Sequence, residues 1–235
     1  LYGYWTEGES FESRLPIAMD GSCNGIQNFS AMLRDYEGGC AVNLVPQELP
    51  QDIYARVAEV VSQKVAQDAA EGNEQALLWL GKVDRKIVKR PVMTLPYGAT
   101  RYGMRQQLID ELKDQTQKGS CKLKVANNDF YWPCDYLSWI VYTSIGEVVS
   151  AARIVMDWLQ EAARIASQDG MPINWVTPAG LPVLQAYRKT LGKRIECLIE
   201  GRKVKTTLQV PTKVIDTRRQ AQGIAPNFVH SMDAS

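Results

Sequence analysis

The chain has 235 residues, 45% of them apolar, and 27 Lys and Arg stand against 26 Asp and Glu, a net charge of +1. This supports a sizeable core in one or two domains, and the near-neutral balance does not by itself identify a polyanionic partner. No run of about 18 apolar residues offers a membrane span, and the five cysteines (Cys23, Cys40, Cys121, Cys134, Cys197) form no CxxC pair of the zinc-site kind, which points to free thiols in a reducing compartment.

In chain order, residues 15–19 read as a short buried strand ending at Asp20 and a glycine-bounded turn, Asp20-Gly21-Ser22-Cys23-Asn24-Gly25. Ile26, Phe29, Met32 and Leu33 then follow helical spacing, and Gly38-Gly39 breaks the pattern. Residues 50–69 predict a helix with Pro50 near its start and Ile53, Val57, Val60, Val61 and Val65 on one face. Residues 83–97 predict another, kinked or restarted near Pro91, with Tyr97-Gly98 at its end. A further helix follows over 101–117. Residues 118–138 read as a loop or lid, and 139–168 as the longest helix, aligned on Ile145, Val148, Ala152, Val155 and Leu159. Residues 175–182 give a strand–turn–strand signal, and 194–210 a β-hairpin around Glu200-Gly201. The expected class is α/β, helix-rich.

Two segments carry chemistry. Asp20, at a strand end beside small residues, is placed to hold a hard cation. The calcium-loop alternative lacks the glutamate needed at its twelfth position, which is Ala31, whereas one carboxylate plus a carbonyl, water and phosphate oxygens suits magnesium. Capping of the next helix is the structural alternative for Asp20. Residues 82–105 hold seven cations against Asp84 alone, and Arg85, Lys89, Met93 and Tyr97 lie four apart on one winding helical stripe. Arg85 and Lys89 can hold a triphosphate, and Lys89 can protonate a leaving pyrophosphate. Met93 and Tyr97 offer a face to a base and a hydroxyl to a sugar, and Gly98 permits close approach to the backbone. A solvated, salt-bridged helix explains the same stripe without a ligand. His230, the only histidine, reads on its own more readily as a packed or solvated imidazole than as a functional one.

Together these segments resemble the single-subunit DNA-directed RNA polymerases of bacteriophages and mitochondria. Residues 20–27 look like that family's motif A, Arg85-x3-Lys89-Arg90-x2-Met93-x3-Tyr97-Gly98 looks like motif B, and 223–231 resembles a signature just before motif C. Trp175-Val176-Thr177-Pro178 is also similar. Ala31-Met32-Leu33-Arg34-Asp35 resembles the phage branch, which implies the cytoplasm of an infected host cell rather than the mitochondrial matrix.

The resemblance implies a right-hand polymerase: palm over 1–48, fingers over 49–229, and a return to palm at 230–235. It implies Asp20 and Gly21 as Mg²⁺ ligands and Asp20 and Lys89 as catalytic residues. Arg85, Arg90, Met93, Tyr97, Gly98 and His230 would bind the nucleotide, with Tyr97 favouring ribose. The implied partners are a DNA template and promoter, nascent RNA and ribonucleoside triphosphates, handled by a monomeric enzyme away from membranes. Asn28 departs from the histidine of many relatives. The ends, Leu1-Tyr2-Gly3-Tyr4-Trp5 without Met or signal peptide and Asp233-Ala234-Ser235 before any motif C, read as an excerpt of a longer protein, inactive alone. Two alternatives are an A-family DNA polymerase, against which Gly21 and the lack of a nearby Glu argue, and a non-catalytic nucleic-acid-binding module derived from a polymerase.

Overall fold

The structure is a computed structural model that describes residues 2–16 and 21–234, with side chains from Trp5 onward. In chain order it contains α1 (Tyr2–Glu7), α2 (Asn24–Leu33), α3 (Tyr36–Ala41), α4 (Ile53–Ala70), α5 (Glu74–Trp79), α6 (Arg85–Thr94), a 3-10 turn (Leu95–Tyr97), α7 (Arg101–Gln117), α8 (Tyr131–Val148) and α9 (Ser150–Ala166). Strands β1 (Ile173–Val176), β2 (Pro182–Gln185), β3 (Arg188–Ile199) and β4 (Arg202–Ile215) precede α10 (Thr217–Asp233). The strands form two separate antiparallel pairs, β1–β2 and β3–β4. The fold is thus helix-rich with small sheets, as expected.

Helix α4 shows how the core forms. Asp52 caps it, accepting the amide hydrogens of Tyr54 and Ala55 at 3.0 and 3.2 Å. Ile53, Val57, Val61 and Val65 then recur every four residues and are all buried. Burial of such side chains contributes about 1.5–3 kcal/mol each. Helices α5, α6 and α8 pack on α4. Trp79 of α5 is buried and donates its indole N–H to the Pro133 carbonyl at 2.8 Å.

Several sequence expectations are corrected. Leu15 and Pro16 are exposed and form no strand, and residues 17–20, with Asp20, lie outside the described residues. Gly38 and Gly39 do not end helicity; they sit inside α3. A β-carbon on Gly38 would collide with the side chains of Asp35 and Ser30, so glycine is there to let α3 close onto α2. Helix α6 runs unbroken through Pro91. The proline costs about 3 kcal/mol in a helix interior, but Ile87, Val88, Pro91 and Val92 are buried together, which offsets it. The geometry tightens only at Leu95–Tyr97, and Gly98 ends the turn at φ 82°, a left-handed conformation suited to glycine.

Residues 118–130 form the expected loop, but 131–138 belong to α8, whose Pro133 sits in the first turn, where its missing N–H costs nothing. The expected 139–168 helix is two helices that meet at 99°. Val149, at φ −129° and ψ 58° and buried, makes the corner. Ile145, Ala152, Val155 and Leu159 keep helical spacing across it and are all buried, so the apolar pattern runs on while the backbone turns. Among the described residues no single helix is long and apolar enough to cross a membrane.

The hairpin β3–β4 is longer than expected. It turns at Glu200 (φ 49°) and Gly201 (φ 76°), two left-handed residues that match the twist of the strands. Helix α10 packs against α9, α2 and the 3-10 turn, which brings the end of the chain to the end of α6.

Candidate nucleotide site

Arg85, Lys89, Met93 and Tyr97 line one cleft of about 600 Å³ together with Gly21, Ser22, Cys23, Asn24, Asp52 and Tyr54. Helix α6 supplies the stripe, and the turn before α2 supplies the opposite lining. Asp84 starts α6 by accepting from the amides of Lys86 and Ile87 at 3.1 and 3.2 Å. The helix N-terminus is thus satisfied by the Asp84 carboxylate, and Arg85 and Lys89 bring the positive charge of α6 to the cleft. Lys89 and Arg90 form no ion pair among the described residues.

Arg85 is held rather than free. Its Nε donates to Asp52 Oδ2 at 2.5 Å, and its guanidinium lies 5.1 Å from the centre of the Tyr54 ring. Partial burial works against the Asp52 carboxylate, but the hydrogen bond from Arg85, the amide donors of Ala55 and Tyr54 and the guanidinium charge prevail and hold its carboxyl below the ordinary range. Burial also pushes the Tyr54 phenol well above its usual value, with Cys23 beside it adding to the shift. The Cys23 thiol is raised by its own burial, against hydrogen bonds with Ile26 and Tyr54. The cleft therefore has neutral Cys23 and Tyr54 in its lining, and among the described residues its charged groups are Asp52, Arg85 and Lys89.

Close packing fixes Tyr97. A β-carbon on Gly25 of α2 would lie 2.5 Å from Pro96, so the 3-10 turn rests directly on the α2 backbone. On its other side the Tyr97 ring stacks on His230 of α10, with centroids 4.9 Å apart and planes at 25°. Gly98 faces the Gln222 carbonyl, which would be 3.5 Å from any β-carbon there. Pro226 lacks the amide hydrogen that this carbonyl would take in a regular helix.

The structure thus brings Gly21, Arg85, Lys89, Met93 and Tyr97 together and attaches His230 through Tyr97. It separates two of the expected residues. Arg90 lines a neighbouring groove of about 690 Å³ with Lys86 and Glu111, one that shares Arg85, Lys89 and Met93. Gly98 lines a different groove, of about 410 Å³, with Tyr102, Trp139, Tyr142 and Arg153. Helix α2 takes Cys23 as its N-cap. Sequence reasoning missed Asp52 and Tyr54; a helix-capping aspartate was visible in principle, but nothing tied it to an arginine 33 residues on.

Asn28, the departure noted in the sequence, donates to Asp233 Oδ1 at 2.9 Å and so ties α2 to α10. Among the described residues no group of three His, Cys, Asp or Glu side chains could hold a metal. The Gly21 carbonyl accepts from the Cys23 amide at 3.1 Å, which holds the turn before α2 closed.

The family model described as DNA-dependent RNA polymerase matches residues 3–235. The mitochondrial DNA-directed RNA polymerase of Mus musculus is 37% identical over 227 residues, 96% of this chain and 18% of that one. DNA-directed RNA polymerase 2A of Nicotiana tabacum is 38% identical over 97% of this chain and 67% of its own length. The DNA-directed RNA polymerase of Enterobacteria phage T3 is 35% identical over 99% of this chain and 30% of its own length. The chain thus spans from under a fifth to two-thirds of these relatives, and phage and organellar sequences match it at similar identity.

Proposed function

We infer that this chain, which belongs to the DNA-dependent RNA polymerase family, forms the part of such an enzyme that binds the incoming ribonucleoside triphosphate and supports its transfer to an RNA 3′-hydroxyl. The observation that carries this reading is the single cleft shared by Arg85, Lys89, Met93, Tyr97 and Gly21. Family membership disposes of the DNA-polymerase alternative. In this reading residues 1–48 and 230–235 are palm and 49–229 mostly fingers.

Arg85 and Lys89 hold the triphosphate, with Asp52 and Tyr54 keeping the guanidinium aimed at it. Lys89 also supplies a proton to the departing pyrophosphate. Met93 and the Tyr97 ring give the base and sugar a surface, and His230 supports the Tyr97 ring from behind. Arg90 would meet phosphate from the adjoining groove, and Gly98 lets the template strand pass close to the backbone. Asp20 and Gly21 are the residues that would hold Mg²⁺, an ion that needs only one or two carboxylates beside water and phosphate oxygens. When bound, it would supply charge neutralisation on the phosphates and a lowered pKa for the attacking hydroxyl.

DNA has a second basic surface to meet. Residues 188–215 carry eight Lys and Arg against Glu196 and Glu200, and most of these strands are exposed. We assign phosphate contacts to this hairpin. The resemblance of 31–35 to the phage branch favours a single-chain enzyme working in an infected host's cytoplasm. Tyr97→Phe in the full-length enzyme tests the nucleotide site. It is expected to leave RNA synthesis largely intact while lowering the preference for ribonucleotides over deoxyribonucleotides; an unchanged preference would remove Tyr97 from sugar selection.

A further inference from the structure

We propose that Gln185 and Gln220 are positioning residues: they fix the root of the β3–β4 hairpin on helix α10 and so set where nucleic acid held by the hairpin lies relative to the nucleotide cleft. The proposal rests on the reading of the hairpin as a nucleic-acid contact. The hairpin is long, about 40 Å at 3.4 Å per residue, and its strands pack mainly on each other. Its direction is therefore decided at its root.

That root is held from every side. Gln185 is 3% exposed and Gln220 is fully buried. Gln185 donates to the Gln220 carbonyl and Gln220 donates to the Gln185 carbonyl, each at 2.8 Å. The remaining oxygen of Gln220 accepts the Tyr187 amide hydrogen at 3.1 Å. Tyr187 directly precedes β3; its carbonyl accepts from Asp216, the residue after β4, at 2.9 Å. Its hydroxyl accepts from Asn227 at 3.1 Å, and Asn227 also reaches the Gln185 side-chain oxygen at 2.8 Å. The Arg219 guanidinium lies 5.2 Å from the Tyr187 ring centre, and the ring sits so close to Gly223 that a β-carbon there would lie 2.5 Å from it.

An apolar pair could fill the same space without fixing a direction. Reciprocal buried amide bonds are met at only one relative placement of β2 and α10. The same helix carries His230 against Tyr97 and presents the Gln222 carbonyl to Gly98. Hairpin and nucleotide cleft are thus referenced to a single helix, α10.

The test uses the full-length polymerase with site-specific labels at Glu200, on the hairpin tip, and Gln67, on α4. Gln220→Met and Gln185→Met are each expected to widen the label-to-label distance distribution about two-fold and to raise KM for template about five-fold, with kcat changing less than about two-fold. An unchanged width overturns the positioning role. Lys203→Glu with Lys205→Glu, which leaves the root intact, separates the two readings. If that pair leaves template KM unchanged, the nucleic-acid reading of the hairpin fails, even where the amide variants widen the distribution. Should Gln220→Met not fold, Asn227→Ala loosens only the Tyr187 hydroxyl and the Gln185 side chain. It is expected to move both readouts the same way by less, and no movement overturns the proposal.

Discussion

One carboxylate of Asp52 does two things at once: Oδ1 caps α4 and Oδ2 holds Arg85. Because its folded pKa is depressed, its stabilising contribution is present above the ordinary carboxyl range and is lost as pH falls through the lower folded value. Asp52→Asn is therefore expected to lower the melting temperature at pH 7, with the gap to the parent narrowing below about pH 4. Melting curves at pH 7 and pH 3 check this; an equal gap at both would mean the carboxylate charge contributes nothing. The same substitution releases Arg85, so KM for nucleotide is expected to rise more than kcat falls. The functional stripe on α6 was legible in the sequence because it is local: spacing of four is the geometry of one helix. Asp52, Tyr54 and the His230 stack were not legible, because each depends on pairing between elements far apart in the chain.

At the scale of elements, helix–turn contact is set by glycines rather than by large side chains. Gly25→Ala would drive a methyl group into Pro96 and displace the turn that carries Tyr97. A loss of about 1–3 kcal/mol in urea unfolding is expected, as for overpacking, together with weaker nucleotide binding; a neutral substitution would show that α2 and the turn can separate freely. The element boundaries that sequence reading found, such as 101–117, are those with a cap and a consistent period. Its failures have two causes. Pro91, Gly38 and Gly39 are breakers by local propensity, and burial overrides each. Val149 is a corner inside an unbroken apolar period, and periodicity records only which side is buried, not whether the axis turns. Gly223 and Pro226 likewise hid α10, the helix on which the site closes.

For the whole molecule, α10 and the turn before α2 meet around the end of the basic stripe, so the cleft lined from Gly21 to Tyr97 is backed by His230 from the far end of the sequence. Asn28 to Asp233 and Tyr97 to His230 are the visible stitches. Overall charge said nothing of this, since a net of +1 averages the basic 82–105 and 188–215 segments with acidic surface elsewhere. The central claim is that Lys89 acts on a nucleoside triphosphate, and Lys89→Ala in the full-length enzyme, with RNA synthesis and template binding measured side by side, tests it most directly. Nucleotide incorporation is expected to fall about 10²–10⁴-fold, the usual worth of a positioned general acid, while template affinity stays within about three-fold, since one phosphate contact at most is lost. Equal losses in both, or incorporation at the parental rate, would contradict the account.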